Sequence, residues 1–315
     1  MIRPTRRRPV VPVAMLLSAG LAAAVLTAGC RAGQGGATTA VGPPPTTTVA
    51  GPPPTTAAGA AGGPVSSGFV AFGDFGGGAA QGAVAGAMER WAAAHRVDAL
   101  VTTGDNVYDR GEPERFAAQL DRPYRRLRRT RPLWVTLGNH DVMAGHGAAE
   151  LLHLGLPDLP YAKTLPGVQL LFMDANRPDQ AQADWLEARL AGPGPRLRVV
   201  VFHQPAWSCS RHDSDREVGR RWVPVLERHR VALVLNGHDH NYQRFVSAAG
   251  VTYLVTGGGG KSLYPVDKAC PAGTPQRAAS AERNHFTAVE VGAGSLAVTV
   301  VADDDAVLDR TVIRR

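Results

Sequence analysis

From about Val65 to the C-terminus the chain repeats one unit: a short apolar run, a polar cluster closing it, then a stretch of helical period. "GFVAFGD" (68–74) precedes a helix expected near 79–95, and "DALVTTGD" (98–105) precedes one near 112–121. "PLWVTLGNHD" (132–141), "VQLLFMDAN" (168–176), "RLRVVVFHQP" (196–205) and "VALVLNGHDH" (231–240) repeat the pattern, with helices expected at 179–190 and 215–229. Strands and helices in alternation predict an α/β domain. The tail differs: "HFTAVEV", "SLAVTVVA" and "VLDRTVIRR" are joined by the turns "GAG" and "DDD", and predict a C-terminal antiparallel meander. About 250 residues suffice for one large domain with a core of its own.

The N-terminus does not follow this pattern. Arg3, Arg6, Arg7 and Arg8 precede an apolar run from about Val10 to Leu26, of the length and composition of a signal peptide. The run closes on "LTAGC" (26–30), which resembles a bacterial lipobox, so residues 1–29 are expected to be removed and Cys30 lipidated. A single membrane anchor is the alternative, opposed by the Gly and Ala residues that interrupt the run. Residues 30–66 are mostly Ala, Gly, Thr and Pro, with no charge beyond Arg31 and with "GPPPTTTVA" and "GPPPTTAAG" as a short repeat, and cannot bury a core. They read as a tether, leaving 67–315 as an exported domain anchored at the outer face of the cytoplasmic membrane.

Charge then loses most of its meaning. Removing the four N-terminal arginines and Arg31 reduces the formal +7 to +2. "YRRLRRTR" (124–131) is the one basic cluster, and without interleaved aromatics it reads as a solvated helix face. No nucleic-acid binding is predicted. Cys209 and Cys270 remain as a pair in an exported domain, a candidate disulfide with two free thiols as the alternative.

In open α/β sheets ligands sit beyond the carboxyl ends of the strands, where this chain concentrates Asp, Asn and His. Five motifs stand in order: "GDFG" with Asp74, "GDNVY" with Asp105 and Tyr108, "GNHD" with Asn139 and His140, "VVFH" with His203, and "GHDH" with His238 and His240. His95, His153 and His229 have no such context and read as structural or surface residues. Two carboxylates, a phenol, a carboxamide and three imidazoles without thiolates do not suit a structural zinc; they suit two adjacent hard or borderline cations sharing a carboxylate. His238 and His240 share a side of an extended segment, and Asp105 and Tyr108 lie one helical turn apart. The glycines before Asp74, Asp105, Asn139 and His238 are expected to let the backbone turn sharply.

Taken together, these motifs resemble the purple acid phosphatases within the calcineurin-like metallophosphoesterases. The likeness is greatest to the small tartrate-resistant type and runs over essentially all of 68–260, including "FMDAN…QADWL", "HQPAWS" and "NGHDHNYQ". The resemblance implies a β-sandwich of two mixed sheets flanked by helices (αββα). It implies that Asp74, Tyr108 and His240 bind ferric iron, that Asn139, His203 and His238 bind a divalent ion (Fe, Zn or Mn), and that Asp105 bridges them. Most metallophosphoesterases have a histidine two residues beyond the first aspartate; here that position is Gly76, and Tyr108 takes its place as ligand.

The implied activity is acid phosphomonoester hydrolysis, because two cations about 3.5–4 Å apart clamp the attacking and leaving oxygens of an in-line displacement and can activate a hydroxide. His140 is expected to orient phosphate or protonate the leaving alcohol, and Asp141 to orient His140 or a metal-bound group. His212, nine residues after His203, is expected as an acid or phosphate contact, with a surface histidine as the alternative. "GGGG" (257–260) is either site rim or a plain flexible turn, and 261–285 is expected to line the rim, where a Cys209–Cys270 bridge would tie two loops. Small phosphate esters are the expected substrates and a monomer the expected state. Phosphodiester, nucleotide or phospholipid-headgroup hydrolysis is the alternative activity. A non-catalytic lipoprotein binding module is a third reading, which predicts at least one lost ligand; none is lost.

Overall fold

The computed structural model describes residues 64–315. The expected signal peptide, Cys30 and nearly all of the tether lie outside the described residues. Among the described residues no helix is long and apolar enough to cross a membrane.

In chain order the elements are β1 (Ser67–Phe72), α1 (Gln81–Ala94), β2 (Ala99–Thr102), α2 (Arg125–Arg128), β3 (Leu133–Val135), α3 (Asn139–Val142), α4 (Gly147–His153), β4 (Tyr161–Leu165), β5 (Val168–Phe172) and α5 (Gln180–Ala191). There follow β6 (Leu197–Val201), α6 (Arg216–Arg221), α7 (Val223–Arg228), β7 (Leu233–Asn236), β8 (Tyr242–Val246), β9 (Thr252–Thr256), β10 (Arg277–Ala281), β11 (His285–Gly292), β12 (Ser295–Ala302) and β13 (Val307–Arg314). They form two sheets, one ordered β13-β12-β11-β1-β2-β3 and the other β10-β8-β9-β7-β6-β5-β4. Both are mixed. β1, β2 and β3 run parallel while β11 pairs antiparallel to β1. β5, β6, β7 and β9 run parallel, with β4 and β8 antiparallel beside them.

The unbroken apolar runs follow from this layering, because strands covered on both faces need no polar alternation. In β1, Phe69 and Ala71 enter the core between the sheets, whereas Val70 and Phe72 pack with Val84 and Met88 of α1 on the outer face. In β6, Val199 and Val201 face inward, and Val200 packs outward with Leu186 of α5 and Trp222. Each of the Val, Leu, Met and Phe side chains among them stabilises the fold by about 1.5–3 kcal/mol through burial.

Two expected helices differ. The segment 215–229 breaks at Trp222 into α6 and α7, because Pro224 lies in the first turn of α7 and cannot donate a backbone bond to the preceding turn. The segment near 112–121 forms a 3-10 turn (Pro113–Arg115) and a π turn (Ala117–Asp121). Tertiary bonding wins there: Gln119 accepts from the Tyr108 N–H (2.9 Å) and donates to the Tyr108 carbonyl (3.0 Å).

Candidate metal centre

All five motifs hang from carboxyl ends of parallel strands, three on the first sheet and two on the second. The sharp turns do not lie where expected. Asp74, Asp105 and His238 themselves adopt positive φ (59°, 52° and 71°), and among the preceding glycines only Gly104 does (94°). The other glycines are there for space. A Cβ on Gly73 would run into Thr103 Oγ1, one on Gly138 into the Asp105 carboxylate, and one on Gly237 would lie 2.5 Å from Asp74 Oδ2.

These loops bring the expected ligands together around Asp105. Asp105 Oδ2 accepts from the Tyr108 hydroxyl (2.7 Å), which lies 3.3 Å from His240 Nε2, itself 3.6 Å from Asp74 Oδ1. Asp105 Oδ1 lies 3.4 Å from His203 Nε2, which is 3.2 Å from both Asn139 Oδ1 and His238 Nδ1. Ligand atoms of Asp74, Asp105 and His203 fall within 4.8 Å of one another, and all three residues are buried. Backbone donors hold the carboxylates in place: the His238 N–H on Asp74 (3.0 Å) and the His140 N–H on Asp105 (3.0 Å).

The electrostatics of this cluster call for a cation. Burial, then the Asp105 charge, pushes the Asp74 carboxyl well above the usual range. Burial and the two carboxylates likewise raise the Tyr108 phenol. The imidazoles are held neutral: burial lowers His203, lowers His240 to about 4, and with the neighbouring histidines lowers His238 to about 2. His203 Nδ1 bonds the Thr103 carbonyl and His240 Nδ1 the Ser262 carbonyl (2.8 Å each), so each Nε2 keeps its lone pair for the cluster. Among the described residues no ammonium or guanidinium lies within ion-pair distance of Asp74 or Asp105. Buried oxygen donors and neutral imidazoles without a counter-charge fit a pair of hard or borderline cations.

His140 and His212 flank the cluster. The His140 ring lies 4.3 Å from that of Tyr108, and its Nδ1 bonds the Asp109 carbonyl (2.6 Å). The His212 ring lies 4.0 Å from that of His238, and its backbone N–H donates to Asp239 Oδ1 (2.9 Å). Asp141 does something other than orient the His140 ring. Its carboxylate accepts backbone N–H bonds from Asn106 (2.9 Å), Val107 (2.8 Å) and Gly138 (2.7 Å), tying the Asp105 loop to the Asn139 loop. Burial and the nearby Asp105 push it up to about 7. Cys209 and Cys270 form a disulfide joining the loop after β6 to the 261–276 segment.

Several residues at the site carry no sequence signal. Glu150 is buried on Asn106 Nδ2 (2.9 Å), and its carboxyl is pushed well up by burial and Asp141. Tyr264 stacks on His240 (4.1 Å), with the Arg211 guanidinium 4.7 Å over its ring. Lys261 Nζ lies 4.1 Å from the centre of the Tyr108 ring. Each of these contacts joins segments far apart in the chain, so local pattern cannot show them. "GGGG" packs against the site: the Gly259 N–H bonds the Gly73 carbonyl (2.9 Å), and a Cβ on Gly257 would lie 2.7 Å from Asp74 Oδ2.

The chain belongs to the calcineurin-like phosphoesterases, matching that family over residues 69–242, a span that contains every expected ligand. It is 27% identical over 205 residues to purple acid phosphatase 4 of Arabidopsis thaliana, covering 53% of this chain and 59% of that one. It is 26% identical over 200 residues to human tartrate-resistant acid phosphatase type 5, covering 51% and 61%. The chain therefore spans about three fifths of the length of these curated relatives. Among solved structures, a purple acid phosphatase from yellow lupin (Lupinus luteus) superposes with a TM-score of 0.68 at 16% identity, covering 79% of this chain and 54% of that one. GAP50, described as the anchor in the inner membrane complex of Plasmodium, superposes at 0.69 and 17%, covering 80% and 89%. These two likenesses show the fold alone, and their different descriptions leave function to the site.

Proposed function

We propose that this chain is a two-metal phosphomonoesterase holding a ferric and a divalent ion, exported and lipid-anchored through Cys30. One observation carries the reading: the two oxygens of Asp105 face different ligand groups, Oδ2 toward Tyr108 and Oδ1 toward His203. Asp74, Tyr108 and His240 would hold one ion, and Asn139, His203 and His238 the other, with Asp105 common to both. Two such cations, when bound, neutralise phosphoryl charge and provide Lewis-acid activation.

The surrounding residues supply the rest. His140, with Nδ1 committed to the Asp109 carbonyl, has Nε2 left to exchange a proton with the leaving oxygen. His212, beside His238, contacts the phosphate. Tyr108 supplies a hard phenolate, which selects a trivalent ion. Asp141 and Gln119 position the ligand loops without touching substrate.

The test is hydrolysis of p-nitrophenyl phosphate and bis(p-nitrophenyl) phosphate across pH, alongside metal analysis. Two ions per chain and faster monoester turnover are expected; two bound ions with no hydrolysis of either ester would overturn the reading. Iron-loaded protein should absorb in the visible, and Tyr108→Phe should lose that band; an unchanged band removes Tyr108 from the ligand set. For the anchor, palmitate labelling of expressing cells should disappear in Cys30→Ala, and its persistence would exclude lipidation at Cys30.

A further inference from the structure

Two glycine runs far apart in the chain interlock beside the metal centre. A Cβ on Gly78 would run into the Gly260 carbonyl and lie 2.6 Å from the Lys261 nitrogen; one on Gly260 would lie 2.6 Å from the Gln81 nitrogen at the start of α1. The Ala80 N–H donates to the Gly260 carbonyl (3.2 Å), and the Lys261 N–H donates to the Asp74 carbonyl (3.0 Å). Backbone on backbone, without side chains between, fixes the stem of Lys261 against a ligand loop. Its ammonium then lies 4.1 Å from the centre of the Tyr108 ring, and among the described residues it has no carboxylate within ion-pair distance. Arg211 stands one ring further out, over Tyr264, which is stacked on His240.

We propose that Lys261 is a substrate-binding residue that takes a non-bridging phosphoryl oxygen and favours monoesters over diesters. The inference rests on the phosphoesterase reading above and names a determinant of its specificity. A cation over an aromatic face is held more weakly than one in a charge-assisted hydrogen bond, so an arriving phosphate takes the ammonium from Tyr108. The flexible four-carbon stem allows that movement while the backbone stays fixed. A monoester presents three non-bridging oxygens and up to two negative charges; a diester presents two and one. An additional cation outside the ligand set therefore rewards the monoester more.

Lys261→Met keeps the aliphatic stem and removes the charge, and Lys261→Arg restores a cation. In the metal-loaded protein, Lys261→Met should raise KM for p-nitrophenyl phosphate and weaken calorimetric binding of inorganic phosphate, each by roughly 10- to 100-fold. Hydrolysis of bis(p-nitrophenyl) phosphate should lose no more than about threefold in kcat/KM, and Lys261→Arg should recover much of the phosphate affinity. Equal losses for both esters, or phosphate affinity unchanged while only the visible band of the iron-loaded protein shifts, would overturn the proposal and leave Lys261 acting on Tyr108. Phosphate binding that depends on Lys261 in a protein hydrolysing neither ester would uphold the contact while rejecting the phosphoesterase reading.

Discussion

Loops after β1, β2 and β3 deliver Asp74, Asp105, Tyr108 and Asn139, all oxygen donors, whereas loops after β6 and β7 deliver His203, His238 and His240, all imidazoles. The two halves are held by opposite means. The carboxylates are fixed by backbone N–H donors, and His203 and His240 by backbone carbonyls. Each half also leans on the other: the His238 N–H holds Asp74, and the Thr103 carbonyl orients His203. Apart from its partner, the oxygen half is a buried cluster of like charges and the imidazole half is neutral. Joined at the seam between the sheets, the carboxylates gain neutral imidazole donors, and this mixed oxygen and nitrogen donor set is one that neither sheet makes alone.

Removing the residue common to both ligand groups gives the largest effect. Asp105→Ala should leave fewer than one ion per chain by metal analysis and lower kcat by on the order of 10³-fold or more; retention of two ions would show that the halves do not share a bridge. The internal tie of the oxygen half comes next. Asp141→Ala strands three buried backbone donors and should cost roughly 3–5 kcal/mol in urea unfolding, with the Asn variant losing less. A loss below about 1 kcal/mol would mean that the loops hold without it.

The seam away from the metals offers the smallest and cleanest test. His285 of β11 is buried with Nε2 3.1 Å from Thr256 Oγ1 at the end of β9, and burial lowers it to about 4 from the ordinary 6.5. The unfolded chain therefore takes up the extra proton first. Stability from this group is fully present above pH 6.5 and is lost as pH falls from 6.5 towards 4, by up to about 3 kcal/mol. Urea unfolding at pH 7 and pH 4.5 should show a smaller acid loss in His285→Gln than in the parent chain; equal losses would place the titrating groups elsewhere.

Much of the frame was legible. β1, β2, β3, β5, β6 and β7 fall where apolar runs end in polar clusters, because strands covered on both faces leave that signature. The β11–β13 meander falls where the turns "GAG" and "DDD" separate three strand-like runs. β4 and β10 were not legible. "YAKTL" and "RAASA" are mixed and partly exposed, and they are strands because β5 and β8 offer open edges to pair with. The π turn at Ala117–Asp121 was hidden for a related reason, since the Gln119 side chain is held by Tyr108 and its carbonyl accepts from Gln81 Nε2 (2.7 Å), both outside that turn.

The sequence by itself determined which donors exist and that each closes a strand, because residue type and hydrophobic period are local properties. It also raised the question of Tyr108, through Gly76 where a histidine is usual. Only the tertiary structure decided that Asp105 turns one oxygen toward Tyr108 and the other toward His203, that Asp141 ties loops rather than orienting His140, and that the glycine run sets Lys261 over Tyr108. The Asp105–Tyr108 contact spans three residues, but the others join segments far apart in the chain, such as Asn106 with Asp141, Asp105 with His203 and Gly78 with Gly260, and no local pattern shows them.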